Sequence, residues 1–203
     1  MKRDWENFLI AEHSGEQFFR LYMWKEATLS IGYSQKAYPL DLPVVKRPTG
    51  GGALLHGQDL SFSYAGPKRI WGNSFTKIYK KFMGFLLEEL RCLIPDLQMS
   101  RYRGGYEGYF CYFYPTLGEI TFNGKKLLAC AMRVGSNSFL IHGSLFLDMD
   151  YEHLERLTGC RERDLRGRIV TLQELGVKET ELKRAMLNLE KRIASSKAHN
   201  GRA

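Results

Sequence analysis

The chain has 203 residues, 44% hydrophobic and 26% charged, which suits one soluble globular domain with a sizeable core. The opening Met1-Lys2-Arg3-Asp4-Trp5-Glu6-Asn7 lacks the apolar run of a secretory signal, and no stretch approaches the roughly 20 apolar residues of a membrane span. A net charge of +8 and a pI near 9.3 imply an acidic partner or surface, and acidic proteins, nucleic acid and anionic lipid all fit on charge alone.

In chain order, Trp5, Phe8, Leu9 and His13 predict a helix within residues 1–18 that closes near Ser14-Gly15. Phe18–Trp24 and Ala27–Tyr33 read as strands around Lys25-Glu26, and Pro39 and Pro43 mark a loop. Val44-Val45 reads as a strand end and Ala53-Leu54-Leu55 as the entry to another strand, so Gly50-Gly51-Gly52 forms a tight loop between them. Three consecutive glycines cost backbone entropy and are kept where a side chain would be in the way. Such a loop bares N–H groups to an approaching carbonyl, carboxylate or phosphate; a plain structural turn is the other reading. Lys46 and Arg47 place two cations at its mouth, and His56 follows. Leu60, Phe62 and Tyr64 alternate with Ser61 and Ser63, the pattern of a half-buried strand, which Gly66-Pro67 breaks.

Asn73-Ser74 caps a predicted helix to about Leu93, with Phe75, Ile78, Phe82, Leu86, Leu90 and Leu93 on one apolar face and no chemistry. Arg101-Tyr102-Arg103-Gly104-Gly105-Tyr106 has the composition of a single-strand nucleic-acid platform. No basic-aromatic face recurs elsewhere, which argues against nucleic acid. Glu119–Phe122, Asn123-Gly124 and Lys125–Val134 read as a β-hairpin, since Asn-Gly suits the tight turn. Phe139–Phe146 reads as another strand, interrupted at His142-Gly143-Ser144. Asp150 opens a helix through Leu157, residues 160–168 read as a charged loop, and Thr171–Glu174 is a capping box opening a short helix that Gly176 stops. Leu182, Met186, Leu189 and Ile193 mark a last amphipathic helix. Residues 1–194 form a single catalytic domain in this reading, and 195–203 a disordered tail. Cys92, Cys111, Cys130 and Cys160 are scattered without a CxxC pair, the usage of reduced thiols in the cytoplasm rather than of a zinc site or a disulfide framework.

Arg47-Pro48-Thr49-Gly50-Gly51-Gly52-Ala53-Leu54-Leu55-His56, continued through Ser63-Tyr64, resembles the signature of the lipoate/octanoate transferase and ligase family, which shares its catalytic fold with biotin protein ligases. The resemblance covers residues 5–175 and implies an α/β (α+β) fold, a mixed sheet flanked by helices. It implies a substrate pocket formed by Arg47, Gly50, Gly51, Gly52, Ala53 and His56, with His142-Gly143-Ser144 matching the family's His-Gly-Thr/Ser at the pocket floor. Gly32-Tyr33-Ser34-Gln35 is similar to a segment that lines the acyl pocket in relatives; a strand-end turn is the alternative.

Gly124-Lys125-Lys126-Leu127 matches the family's Gly-x-Lys-aliphatic pattern, in which the lysine holds the acyl carbonyl; Lys125 is the register alternative. An ammonium beside a thioester carbonyl stabilises the oxyanion of the tetrahedral state. Ala129 stands where ligases usually carry glycine, and Lys126–Val134 also resembles the octanoyltransferase branch. Cys111, four residues before Pro115 and ahead of the lysine hairpin, resembles the acyl-carrying cysteine of the octanoyltransferase and amidotransferase subgroup. A nearby cation would raise its thiolate fraction. Its plain reading is a small buried residue. Cys160, after a short helix, is the alternative nucleophile, while Cys92 and Cys130 read as core.

The resemblance implies transfer of an octanoyl or lipoyl group through a Cys111 thioester to a lysine of a lipoyl-carrier domain, with no cofactor and no metal. Acidic acyl carrier protein and lipoyl domains (H protein or E2-type) would be the partners, without a membrane. The alternative is a lipoate–protein ligase that uses ATP and Mg, its accessory domain a separate protein. A third reading is a noncatalytic module binding carriers or RNA.

Overall fold

Period-two alternation builds the centre of the molecule, whose computed structural model describes residues 1–37, 39–102, 108–112 and 115–195. Strands β1 (Phe18–Tyr22), β2 (Thr28–Ile31), β3 (Val44–Lys46), β4 (Leu54–His56), β5 (Asp59–Pro67), β6 (Gln98–Met99), β7 (Ile120–Phe122), β8 (Lys125–Lys126), β9 (Leu128–Val134) and β10 (Ser138–Phe146) fall into three sheets. Helices are α1 (Lys2–Ser14), α2 (Phe75–Arg91), α3 (Tyr151–Thr158), α4 (Glu162–Arg168) and α5 (Glu179–Ser195). Among the described residues, no helix is long and apolar enough to cross a membrane.

The main sheet is antiparallel in the order β1-β5-β10-β9. Alternation gives β5 and β10 two different faces. Leu60, Phe62 and Tyr64 on β5, and Phe139, Ile141 and Leu145 on β10, join the main core with Ile78, Phe82 and Leu86 of α2 and Leu182, Met186 and Leu189 of α5. The opposite face carries Ser61, Ser63, His142 and Ser144, all buried. It is covered by α1 through Phe8 and Ala11 against Ala65 and Leu140, and by a second cluster around Leu29, Phe110 and Phe146. That second cluster belongs to the small sheet β3-β2-β4, where β2 pairs parallel with β3 and antiparallel with β4; the mixed character of the fold lies here.

The Asn-Gly turn forms as expected, with Asn123 at φ 49° and Gly124 at φ 78°, and pairs Thr121 with Lys126. The strand beyond it does not run straight to Val134. It breaks at Leu127, so β8 belongs to the β6-β7-β8 sheet and β9 to the main sheet. β5 continues through Gly66-Pro67, and β10 is uninterrupted through His142-Gly143-Ser144. Gly143 keeps β10 close to its neighbours: a Cβ there would lie 2.8 Å from Phe62 and 2.9 Å from the Ala129 carbonyl.

Other differences have local causes. Residues 162–168 are helical, not loop; Leu165 is their buried apolar side chain and Arg166–Glu162 pairs one turn apart, so no apolar periodicity marks them. The capping box at Thr171 closes, with the Thr171 N–H on Glu174 Oε2 at 2.8 Å and the Glu174 N–H on Thr171 Oγ1 at 3.2 Å, but it holds a turn rather than a helix. Phe75 leaves the apolar face of α2 and is 52% exposed, and Cys92 is exposed rather than core. The Arg103–Tyr106 stretch and residues 196–203 lie outside the described residues.

Candidate active site

Burying a serine-rich strand face obliges it to find hydrogen bonds. Two buried carboxylates supply them. Asp4, from α1, accepts from Arg20 Nη1, Tyr22 Oη (3.0 Å) and Ser63 Oγ (2.8 Å). Burial pushes its carboxyl up, but the facing His142 ring, the hydrogen bond from Ser63 and the charge of the N-terminus outweigh that and hold it at about 2. Asp59 accepts from Ser61 Oγ (2.7 Å) and the Gly57 N–H (3.1 Å), and faces His56 Nδ1 at 3.0 Å. Here too burial raises the carboxyl and the His56 contact more than offsets it.

The ring orientation of His56 follows from its neighbours. Arg47 Nη1 donates to Ser30 Oγ at 2.7 Å, and the same Ser30 oxygen lies 2.7 Å from His56 Nε2. His56 Nδ1–H then points to Asp59, and Trp24 stacks on the ring with centroids 4.2 Å apart. Both ring nitrogens are thus engaged. His142 Nε2 contacts Thr49 Oγ1 at 2.7 Å; its Nδ1, 3.9 Å from Asp4, has no hydrogen bond among the described residues. Burial lowers the His142 pKa, with Asp4 opposing, so the ring is neutral near pH 7.

Arg47 lies inside the loop, 7% exposed, rather than at its mouth. Its Nη2 donates to the Gly52 carbonyl at 2.8 Å and the Gly50 carbonyl at 3.2 Å. A planar peptide then aims the Gly51 N–H away from the guanidinium. The amides of Gly50, Gly51 and Gly52 find no acceptor among the described residues. The glycines also make room. A Cβ on Gly52 would lie 3.0 Å from the Cys111 nitrogen, and one on Gly32 would lie 2.2 Å from the Gly51 carbonyl oxygen. So Gly32 serves the packing of the glycine loop. Gln35 bridges the Gly32 N–H and the Tyr109 carbonyl, 2.9 Å each.

Cys111 sits on a turn beside this loop, not on a strand. Ala53 donates to the Tyr109 carbonyl at 2.8 Å and Cys111 donates to the Ala53 carbonyl at 2.9 Å. Lys126, fully buried, donates from Nζ to the Cys111 carbonyl at 2.5 Å and pairs with Glu119 Oε2 at 3.0 Å. Glu119 also accepts from the Thr116 N–H (2.6 Å) and the Cys130 N–H (3.1 Å). Burial pushes the Cys111 thiol up and outweighs the rest: Lys126 and Arg47 pull it down and Glu119 pushes it up, so the nearby cation does not raise the thiolate fraction above that of an ordinary thiol as expected. Lys125 is only half-buried and carries none of these contacts.

The resulting pocket has a cavity volume of about 40 Å³ and is lined by Gly51, Gly52, Cys111, Glu119, His56, His142, Gly143 and Ser144. Of the predicted residues, Arg47 also reaches it, while Gly50 and Ala53 shape the loop from outside the lining. Cys160 follows the C-cap glycine of α3 and does not line it. Cys130 does, rather than being plain core. Sequence reasoning missed Asp4, Asp59, Ser30 and Glu119. Only Glu119 carried a sequence signal, as an acid at the mouth of the lysine hairpin. Among the described residues, no group of three or more His, Cys, Asp or Glu could hold a metal ion.

Residues 2–192 match the family model described as the lipoyl protein ligase A/B catalytic domain. The chain is 32% identical to an octanoyltransferase LipM of Kyrpidia tusciae, over 92% of this chain and 76% of that protein. It is 28% identical to an octanoyltransferase LipM of Carboxydothermus hydrogenoformans, over 76% of this chain but 62% of that protein's length. A crystal structure of lipoate-protein ligase A bound with ATP shares the fold, with a TM-score of 0.75 at 19% identity over 92% of this chain and 76% of the other. The chain belongs to the lipoyl protein ligase A/B catalytic-domain family.

Proposed function

We propose that this chain is an acyltransferase that moves an octanoyl group from a carrier-borne thioester to a lysine of a lipoyl-type domain, by way of a Cys111 thioester. The observation that carries the reading is the convergence of a buried ammonium, a thiol and a glycine loop: Lys126 Nζ reaches the main-chain carbonyl of Cys111, and Cys111 and Gly51 line one pocket. The octanoyltransferase relatives support the acyl group chosen.

The steps balance simply. The Cys111 thiolate attacks the thioester carbon, the bond from that carbon to the donor sulfur breaks, and the donor leaves as a thiol carrying the proton Cys111 gave up. The acceptor amine then attacks the Cys111 thioester, an amide forms, and the amine's proton returns to the cysteine sulfur. Each step passes through a tetrahedral oxyanion, which Lys126 and the Gly51 N–H stabilise. The serines and His56 at the far end of the pocket bond chiefly to one another, so an apolar chain leaves few of their donors unsatisfied.

The test is intact mass after incubation with octanoyl carrier protein. An octanoyl adduct that hydroxylamine removes, absent in Cys111→Ser and formed without ATP, is expected. An adduct that persists in Cys111→Ser, or transfer to the acceptor only when ATP is added, overturns the Cys111 route.

A further inference from the structure

The glycine loop has no side chains of its own to hold it, and glycine gives up more backbone freedom on folding than any other residue. Gly51 sits at φ 95°, so the amides that the proposed route aims at the oxyanion have to be held from the edges of the loop. One edge is fixed to the Cys111 turn through Ala53. The other edge is Thr49, 1% exposed. Its carbonyl accepts from the Tyr33 N–H at 2.8 Å, and the carbonyl before it, on Pro48, accepts from Arg133 Nη1 at 3.0 Å. Its hydroxyl lies 2.7 Å from Nε2 of His142, the middle residue of β10.

Behind His142 stands Asp4. Its carboxylate is fully buried on α1, its place is set by Arg20, Tyr22 and Ser63, and its Oδ2 faces His142 Nδ1 at 3.9 Å. Carboxylate, imidazole and hydroxyl in that order are the series found in hydrolase triads. Here the hydroxyl is not placed to attack, because His142 lines the Cys111 pocket and Thr49 does not. What the Thr49 hydroxyl can do is hold the residue that leads into Gly50.

We propose that Asp4, His142 and Thr49 form a positioning relay, carried from α1 through β10, that sets the orientation of the glycine loop. A carboxylate held ionised beside Nδ1 favours the neutral tautomer with its proton on Nδ1, since the other tautomer would turn a lone pair towards the negative charge. Nε2 is then the acceptor and the Thr49 hydroxyl the donor. A charge on the first helix thus gives the contact at the edge of the loop one direction, and with it one loop position. Such precision matters at an oxyanion site, where a shift of about 1 Å costs roughly 10²-fold in rate. The three residues act through the loop, and none is assigned a contact with the reacting atoms. The proposal rests on the acyl-transfer reading above and adds the residues that aim its loop.

Ring-nitrogen chemical shifts of the histidines in the full chain test the first link, with His142→Gln assigning the signals. We expect His142 to carry its proton on Nδ1, and Asp4→Asn to move it towards Nε2. An Nε2–H tautomer in the unsubstituted chain, or one indifferent to Asp4→Asn, would overturn the relay. The measurement on the unsubstituted chain decides even where a variant fails to fold. Thr49→Val and Thr49→Ser test the second link. In Thr49→Val the Gly51 amide order parameter should fall from about 0.85 to below about 0.6. There kcat for octanoyl transfer should fall at least about tenfold, with KM for the donor within about twofold. Thr49→Ser keeps the hydroxyl and should restore both. An ordered Gly51 in Thr49→Val, or equal losses in the valine and serine variants, would overturn the proposal. A loosened Gly51 with transfer at the full rate keeps the relay and sinks the oxyanion role of the loop. Absence of any Cys111 adduct in the unsubstituted chain sinks the transfer reading alone, because the tautomer and the order parameter are read without substrate.

Discussion

The two faces of the main sheet come from the same strands and were put to different uses. On one, Phe62, Tyr64, Phe139 and Ile141 meet α2 and α5 in an apolar core. On the other, Ser61, Ser63, His142 and Ser144 are equally buried but tied to Asp4 and Asp59. The first face is stabilised by area removed from water. The second holds a shape that is dry yet polar, with its hydrogen bonds made before any substrate arrives, and such a network fails when one member is lost.

The largest break in this comparison is expected on the polar side. Lys126→Met leaves Glu119 buried without its cation, which costs about 3–5 kcal/mol in stability; on the proposed route it also removes an oxyanion donor and should lower kcat for transfer by roughly 10²–10³. Chemical denaturation and single-turnover transfer measure the two separately. Phe82→Ala on the apolar side costs a similar 3–5 kcal/mol through the cavity it leaves, but kcat should stay within about twofold in the folded fraction, since Phe82 is 0% exposed behind the sheet and lines no part of the pocket.

A smaller effect is expected from pH. Asp4 has its carboxyl pKa lowered in the folded state to about 2 from 3.8, so its contribution is present above pH 3.8 and is lost as pH falls towards 2. The span corresponds to about 2 kcal/mol. Asp4→Asn should flatten that part of the stability–pH curve; an unchanged slope between pH 4 and 2 would refute the role given to Asp4. The smallest effect sharpens the site itself. Glu119→Gln keeps an acceptor for the Cys130 N–H but removes the negative charge that pushes the Cys111 thiol up. Iodoacetamide should then alkylate Cys111 at a lower pH midpoint, and a midpoint that moves upward would exclude this electrostatic coupling.

How much of this was legible beforehand follows from the range of each signal. The glycine loop, the Asn-Gly hairpin and the apolar faces of α2 and α5 are local patterns, and they appear where periodicity and turn chemistry put them. The pairing of Lys126 with the Cys111 segment was legible only through the family resemblance, because the two meet across separate elements. Asp4 was illegible: an acid in the first turn of a helix looks like a solvated charge, and its partners Arg20, Ser63 and His142 lie far along the chain. The break at Leu127 was equally hidden, since the residues on either side of it have ordinary strand propensity. α4 lacked an apolar stripe, and Phe75 kept the helical spacing while facing an open groove.

Lys126 holds the main-chain oxygen of Cys111, not its sulfur. On the proposed route, acylating the sulfur would leave that tether untouched. The same cation would then stay in register through both halves of the proposed double-displacement cycle, a single anchor that needs no rearrangement between them.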